Sequence, residues 1–394
     1  MKPLKVLMAG AGLGGLAAAG CLIKKGFQVQ IFEQAAQLGE VGAGIQQSAN
    51  SIKVLYHLGL KDELEKVAVK PKAYEFRRYD NAELLHSIPF EGTHEKMHGT
   101  PYYHIHRADL HGILARMVET QAPGSIKLNS RAVGYEENAS GVTLKLADGS
   151  TATGDVLIGC DGIKSAIRAQ IAGPTKASYT GYVAWRFTVP RERLPKDVMD
   201  IVGVVWCGPK NHLVTYWLSS GNVLNFVGIP ESAEWEEESW TLRRPWEELK
   251  ADYVGWHPNV QAMIDGADHN EVFRWALNDR PPIYDWSTQR ATLLGDAAHP
   301  TLPFIAQGAA CAIEDGAVLA RALEGSSNVP EALQLYQRNR VDRAARIVRE
   351  STEHGGLYHM EDMARMKRAF EDKNIAKERA EWLYAYDPLT VPLK

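Results

Sequence analysis

The sequence predicts an α/β fold with α+β elements: a parallel sheet wrapped by helices, a second, sheet-rich domain interleaved with it, and helices at the C-terminus. Three observations carry this. The stretch VLMAGAGLGGLAAAGCLIKKGFQVQIFEQ, Val6 to Gln34, runs buried strand, glycine turn, helix, strand and acid, the order of a βαβ unit. From Tyr179 to about Arg274 the chain is dense in β-branched and aromatic segments such as YVAWRFTV, LVTYWL and VLNFVGIP, with weak helical periodicity. From Ala291 a short apolar strand returns, followed by a second glycine-bearing turn and long helical stretches.

Composition bounds the answer. A chain of 394 residues, 45% hydrophobic and 23% charged, buries a large core, divides into two or three domains and is not disordered. A formal charge of -4 gives no long-range attraction for nucleic acid or an anionic membrane, so the expected partner is a small molecule, and an anionic one needs a local positive site. Cys21, Cys160, Cys207 and Cys311 show no C-x-x-C pair and no histidine at ligand spacing, which predicts reduced, buried thiols and no metal. The first apolar run leads straight into glycines without a signal-peptide core, and no later run reaches the roughly 18 apolar residues of a membrane span. A soluble cytoplasmic protein, monomer or homodimer, is the expectation.

In order along the chain, Val6–Ala9 suits an interior parallel strand, Leu16–Lys25 a helix ended by Gly26, and Phe27–Phe32 the second strand. Helices are expected at Ser48–Leu58, ended by Gly59, and at Ala108–Glu119. Strands are expected at Ile126–Leu128, Val142–Leu146 and Val156–Gly159, the last two separated by the turn ADGS. ESAEWEEESWTLRRPWEELK reads as a solvated loop and helix. Arg338, Arg340, Arg343, Arg346 and Arg349, on a late helix, read as a charged solvent face.

In GAGLGG, Gly10 allows the tight turn, Gly12 lets the backbone approach a pyrophosphate, and Gly15 lets helix and strand pack closely, with Leu13 and Gly14 between them. The start of the following helix presents free N–H groups and partial positive charge to phosphates. Glu33, followed by Gln34, closes the second strand where a carboxylate reaches ribose hydroxyls. An adenosine dinucleotide is predicted, and this fingerprint does not separate NAD from FAD.

Two later motifs do: IGCDGIKSAIR at 158–168 and LLGDAAHPTLPFIAQG at 293–308. With the glycine turn they resemble, over roughly residues 4 to 350 and in the same order, the single-component flavoprotein aromatic hydroxylases of the 4-hydroxybenzoate hydroxylase fold. The branch is the one containing salicylate hydroxylase, 3-hydroxybenzoate 6-hydroxylase and 6-hydroxynicotinate 3-monooxygenase. The resemblance implies a Rossmann-like FAD-binding domain made of residues 1–70, 100–178 and 275–330. It further implies a substrate-binding β-sheet domain made of 71–99 and 179–274, and a C-terminal helical segment, 331–394. It implies tightly bound FAD, NADH or NADPH as a transient co-substrate, and O2. Only one dinucleotide fingerprint is present, in keeping with transient docking of the nicotinamide.

By the same resemblance Arg107, Asp161, Asp296 and Pro300 contact the cofactor. Gln307, Gly308, Ala309 and Ala310 begin a helix whose positive end lies at the flavin's pyrimidine edge. His212 and Tyr216 match positions that deprotonate or hold a phenolic substrate; a free phenol near pKa 10 is scarcely ionised at neutral pH, and a base near 6.5 suits the proton. Gln46, Arg186, Pro303 and Phe304 are expected to shape the substrate site, and His299 to shape its loop. The 6-hydroxynicotinate enzymes carry histidine where Gln46 and Phe304 stand here. The implied activity is hydroxylation of a small phenolic or N-heteroaromatic acid, with or without decarboxylation. The alternative is a reductase or dehydrogenase of the same fold that does not oxygenate its substrate.

Overall fold

A computed structural model describes residues 3–39, 44–174, 177–233 and 242–394. Lys5–Ala9 is the central strand of a five-stranded parallel sheet, in the order Ala291–Leu293, Val156–Gly159, Lys5–Ala9, Gln28–Phe32, Ile126–Lys127. Val6 to Ala9 are all buried, because a parallel strand covered on both faces has no solvent side. The chain leaves this strand at Gly10, whose φ is +106° and where an added Cβ would lie 2.3 Å from the Cys160 carbonyl oxygen.

The first helix spans Leu13–Lys24, so the turn is tighter than the sequence suggested: Gly14 and Gly15 are already helical. The helix Gly308–Gly325 crosses it at small residues. A Cβ on Gly14 would meet that of Ala312 at 2.7 Å, and one on Gly316 would meet the Ala18 Cα at 2.7 Å. The two helices can approach this closely only where those side chains are absent.

The second sheet has seven strands, in the order Phe273–Asp279, Ser178–Pro190, Val223–Pro230, Asn211–Leu218, Gly203–Gly208, Ala73–Arg78, Leu84–Pro89. Its pairs are antiparallel apart from Gly203–Gly208 with Ala73–Arg78. Register places His212 opposite Ile229, Val214 opposite Val227 and Tyr216 opposite Asn225, so these six side chains share one face. Gly44–Gln47 and Tyr103–His106 form a two-stranded sheet that the sequence did not reveal. Of the acidic segment expected as loop and helix, residues 234–241 lie outside the described residues, and Trp246–Asp252 is a helix. Among the described residues no helix is long and apolar enough to cross a membrane. Cys21, Cys207 and Cys311 are buried, while Cys160 is partly exposed.

The arginine face is corrected. On the helix Val329–Tyr358, Arg338, Arg346 and Arg349 are exposed, but Arg340 is fully buried and Arg343 half-buried. They face two adjacent acids of the Gly308 helix. Arg343 clasps Glu314 through Nε at 2.8 Å and Nη2 at 2.7 Å, while Arg340 reaches Glu314 and Asp315, each at 2.7 Å. A helical charge pattern looks the same whether it meets water or a neighbouring helix, so the pattern misleads here. Asp315 also accepts from the Gly295 N–H at 3.0 Å and pairs with His299 Nε2 at 2.6 Å. Burial alone would raise the Asp315 pKa, but the His299 and Arg340 cations bring it down to about 2.

Arg340→Met is expected to cost about 3–5 kcal/mol by chemical denaturation, because it removes the one cation shared by two buried carboxylates and leaves each under-compensated. Arg349→Met, on the exposed side of the same helix, should stay within about 0.5 kcal/mol. Since the folded pKa of Asp315 lies below the unfolded value of about 3.9, its contribution is complete above that value and is lost as pH falls toward 2. Stability measured across this acid window should therefore fall less steeply in Asp315→Asn than in the wild type.

Candidate active site

Between the carboxyl ends of the parallel strands and the inner face of the seven-stranded sheet lies a cleft of about 380 Å³. This is where open parallel sheets bind ligands. The glycine turn, residues Cys160, Gly162 and Ile163 of the second motif, and Gly295, Asp296 and Pro300 of the third border it. Gln46 borders it from the two-stranded sheet, and Tyr74, Arg186 and Tyr216 from the seven-stranded one. A wider and more open depression of about 690 Å³, bordered by Lys5, Gln30, Lys127 and Thr153, takes in none of the three motifs.

Two helices begin at the cleft. The first starts after Gly12 and the other after Gln307, and in neither does the residue before the helix cap the first-turn amides with its side chain. Unclaimed N–H groups and positive helix ends are thus available to an anionic or electron-rich ligand. A Cβ built on Gly12 meets nothing within 4 Å, so the turn's backbone is open to the cleft. With the Asp296 carboxylate nearby, these groups fit the phosphates and sugar hydroxyls of a dinucleotide.

Of the cofactor residues expected from sequence, Gly12, Leu13, Gly14, Gly15, Arg107, Asp296, Pro300, Gly308 and Ala309 line the cleft. Gly10, Glu33, Gln34, Asp161, Gln307 and Ala310 do not. Glu33 braces the glycine turn, accepting from the Ala11 N–H at 2.7 Å and the Ala35 N–H at 2.9 Å. Asp161 caps the short helix Ala166–Ile171, accepting from the Ala166 N–H at 2.8 Å and the Ser165 hydroxyl. The Gln307 amide turns inward to Ser48 and Asn50, both at 3.0 Å, and Ala310 is buried in helix packing. The side chains of Glu33, Asp161 and Gln307 thus have partners within the protein and help to position the turns that border the cleft.

On the substrate side Gln46, Arg186, Pro303 and Tyr216 line the cleft; His212 and Phe304 do not. Arg186 Nη2 donates to the Gly44 carbonyl at 2.6 Å, and the Gly44 N–H donates to Asn225 Oδ1 at 2.8 Å. A Cβ on Gly44 would lie 2.4 Å from a Tyr216 ring carbon, so glycine is what lets that ring sit there. Burial pushes the Tyr216 pKa up, against the pull of the Arg186 charge. Tyr216 therefore stays protonated at neutral pH and is a hydrogen-bond donor.

His212 is fully buried farther along the same face, edge-on to Phe304 with ring centroids 5.0 Å apart. Its Nδ1 lies 2.6 Å from His359 Nε2, and His359 Nδ1 lies 3.0 Å from Glu231, whose side chain is 42% exposed. Burial, reinforced by His359, holds the His212 pKa well below the usual 6.5, so the imidazole is neutral. Phe304 packs against both His212 and Tyr182.

The sequence missed Tyr74, Val214, Val227, Ile229 and Trp275, all of which line the cleft. Val214 follows from Tyr216 by strand alternation and could have been found; Tyr74 comes from a distant strand, and nothing local marks it. His299, Cys311 and Asp315 are close enough together to share a metal ion. However, the Arg340 guanidinium already donates to Cys311 Sγ at 3.2 Å and to Asp315 at 2.7 Å, so the cluster has its cation.

A family model described as FAD binding domain matches residues 3–351. The chain is 35% identical to 6-hydroxynicotinate 3-monooxygenase of Pseudomonas fluorescens, covering 99% of this chain and 96% of that one. It is 38% identical to 3-hydroxybenzoate 6-hydroxylase of Polaromonas naphthalenivorans, covering 98% and 96%. Among solved structures it is similar to Klebsiella pneumoniae HpxO complexed with FAD and uric acid, with a TM-score of 0.85 at 28% identity over 98% of each chain. With the glycine turn, Asp296 and two helix N-termini gathered on one cleft, and with this likeness running along its length, the chain belongs to the FAD-binding domain family.

Proposed function

We propose that the protein is an FAD-dependent monooxygenase that consumes NADH or NADPH and O2 to hydroxylate a small phenolic or N-heteroaromatic carboxylic acid. The observation that carries this reading is the pairing, across one cleft, of a dinucleotide cradle with a protonated tyrosine and a half-buried arginine. The names of the relatives, which act on 6-hydroxynicotinate and 3-hydroxybenzoate, support an aromatic acid and favour oxygenation over simple reduction.

When bound, FAD supplies two-electron redox chemistry and the activation of dioxygen. The residues present fit it: Gly12, Gly14, Gly15 and the start of the first helix would hold the pyrophosphate. Asp296 would hold sugar-chain hydroxyls, and Gly308 and Ala309 the polar edge of the ring. Substrate activation falls to this chain's own side chains. Tyr216 donates to the phenolic oxygen and Arg186 adds positive charge beside it, so the oxygen loses its proton at a lower pH than a free phenol near pKa 10. Negative charge on that oxygen makes the ring electron-rich, which electrophilic hydroxylation requires. Val214, Val227 and Ile229 give the same wall an apolar surface that keeps water from the reacting ring. His212, buried, neutral and linked through His359 to Glu231, does not line the cleft; it backs the wall through its contact with Phe304 and supports substrate activation from behind rather than by touching the phenolic oxygen.

Tyr216→Phe is expected to lower kcat about 10²-fold with FAD content and melting temperature unchanged. Because Tyr216 remains protonated, the wild-type profile should show no loss of activity from its ionisation below pH 10. His212→Gln should have the smaller effect and alter mainly the acidic limb; the reverse ranking would make the histidine the group that touches substrate. The reaction itself is tested by screening hydroxybenzoates, aminobenzoates and hydroxypyridine carboxylates for stimulated NAD(P)H oxidation under isotopically labelled dioxygen. One labelled oxygen in the product is expected, and unlabelled product with stoichiometric peroxide would leave only a reductase.

A further inference from the structure

Arg379 opens the π-helical turn Arg379–Tyr384 near the C-terminus and is only 5% exposed. Its guanidinium lies 5.9 Å from the Tyr74 ring centroid and 5.8 Å from that of Phe76. Nη2 donates to the Tyr358 hydroxyl at 3.2 Å, while the buried Nε has no partner among the described residues. By contrast Arg340 and Arg343, buried and half-buried on the helix Val329–Tyr358, each hold carboxylates at 2.7 Å. Among the described residues no ion pair involves Arg379; the neighbouring acid Glu381 is turned to Lys377 instead. His86 and His354 add no second positive charge and cannot serve as counter-ions, since burial and the Arg379 charge lower both pKa values and favour the neutral imidazole. A cation withdrawn from water without a counter-ion is costly, and tyrosine faces and hydroxyls offset only part of that.

The location gives this charge a use. Tyr74 lines the cleft, and so does Gln46, whose Oε1 accepts from the Tyr102 hydroxyl at 2.6 Å. The Tyr102 ring in turn lies 6.0 Å from that of Tyr384, in the same π-helical turn as Arg379. One polar residue of the cleft wall, Tyr74, thus lies beside the cation itself, and a second, Gln46, is separated from the cation's turn by the single side chain of Tyr102. Across a packed interior the field of Arg379 reaches the cleft with little screening by water or salt.

The geometry points to Arg379 as a specificity-determining residue that acts through Tyr74 and the Tyr102–Gln46 pair, favouring anionic aromatic rings in the cleft over neutral ones. It is a positioning residue rather than a catalytic one. The assignment deepens the aromatic-acid reading above and rests on it.

The test uses the full chain loaded with FAD and reads ligand binding from the flavin spectrum. The probes are 3-hydroxybenzoate, salicylate and 6-hydroxynicotinate, each paired with its neutral amide. Arg379→Met is expected to weaken the acids roughly tenfold while leaving the amides within about twofold, and Arg379→Lys to restore most of the difference. Equal weakening of acids and amides, or no change in either, overturns the assignment. If Arg379→Met does not retain FAD, His354→Glu keeps Arg379 and offers it a counter-ion; it must then show the same loss of acid preference, and an unchanged preference overturns the assignment. A wild type that binds none of the acids defeats the aromatic-acid reading itself, a result distinct from a wild type whose acid preference does not depend on Arg379.

Discussion

Glu314 and Asp315 sit side by side within the Gly308 helix, out of reach of water, and Arg340 and Arg343 from the long C-terminal helix supply the charge that lets them remain ionised there. Each carboxylate has further partners at or next to the residues that border the cleft. Asp315 fixes the Gly295 amide and His299, which bracket Asp296. Glu314 accepts from the Asn50 amide, and Asn50 also donates to Gln307, the residue that immediately precedes the helix. One ion cluster therefore sets both the loop that presents Asp296 and the helix start that faces the cofactor cradle. Buried pairs of this kind gain little net stability over an apolar core, but breaking one is expensive, so they hold geometry firmly.

The opposite wall is organised differently. Strand alternation delivers Tyr216, Val214 and, farther along, His212 to one face, and the Gly44 backbone ties the two-stranded sheet to Arg186 and Asn225. The polar groups of this wall are few, and apolar side chains separate them. A hydrogen-bond donor or a cation in such a setting has a stronger influence on a ligand's ionisation than it would in water. The C-terminal residues take part in the same construction: Tyr358 and Arg379 cover the end of the sheet face where Tyr74 and Phe76 lie.

The motifs supply both backbone that borders the cleft and side chains that hold its turns. Glu33, Asp161 and Gln307 all belong to motifs that border the cleft, yet their polar atoms satisfy neighbouring backbone amides or side chains. Gln307 is buried and Glu33 and Asp161 are half-buried, and polar groups withdrawn from water find partners; these three have partners within the protein. The motif residues with small or absent side chains, Gly12, Gly14, Gly308 and Ala309, are the ones that leave backbone free for a ligand.

The sequence alone determined the features that depend on near neighbours in the chain. The strand, glycine turn and helix from Lys5 to Lys24 follow from an unbroken apolar run and from positions that tolerate no Cβ, and the order of the three motifs places Asp296 and Gly308 near that turn. Tertiary structure decided what depends on distant partners. Arg340 and Arg343 are buried because of acids 25 to 29 residues away; Arg186 meets a carbonyl 142 residues away; His212 faces a histidine 147 residues away. A side chain's character is written locally, but whether it meets solvent, a ligand or an opposite charge is set by which surfaces the fold brings together.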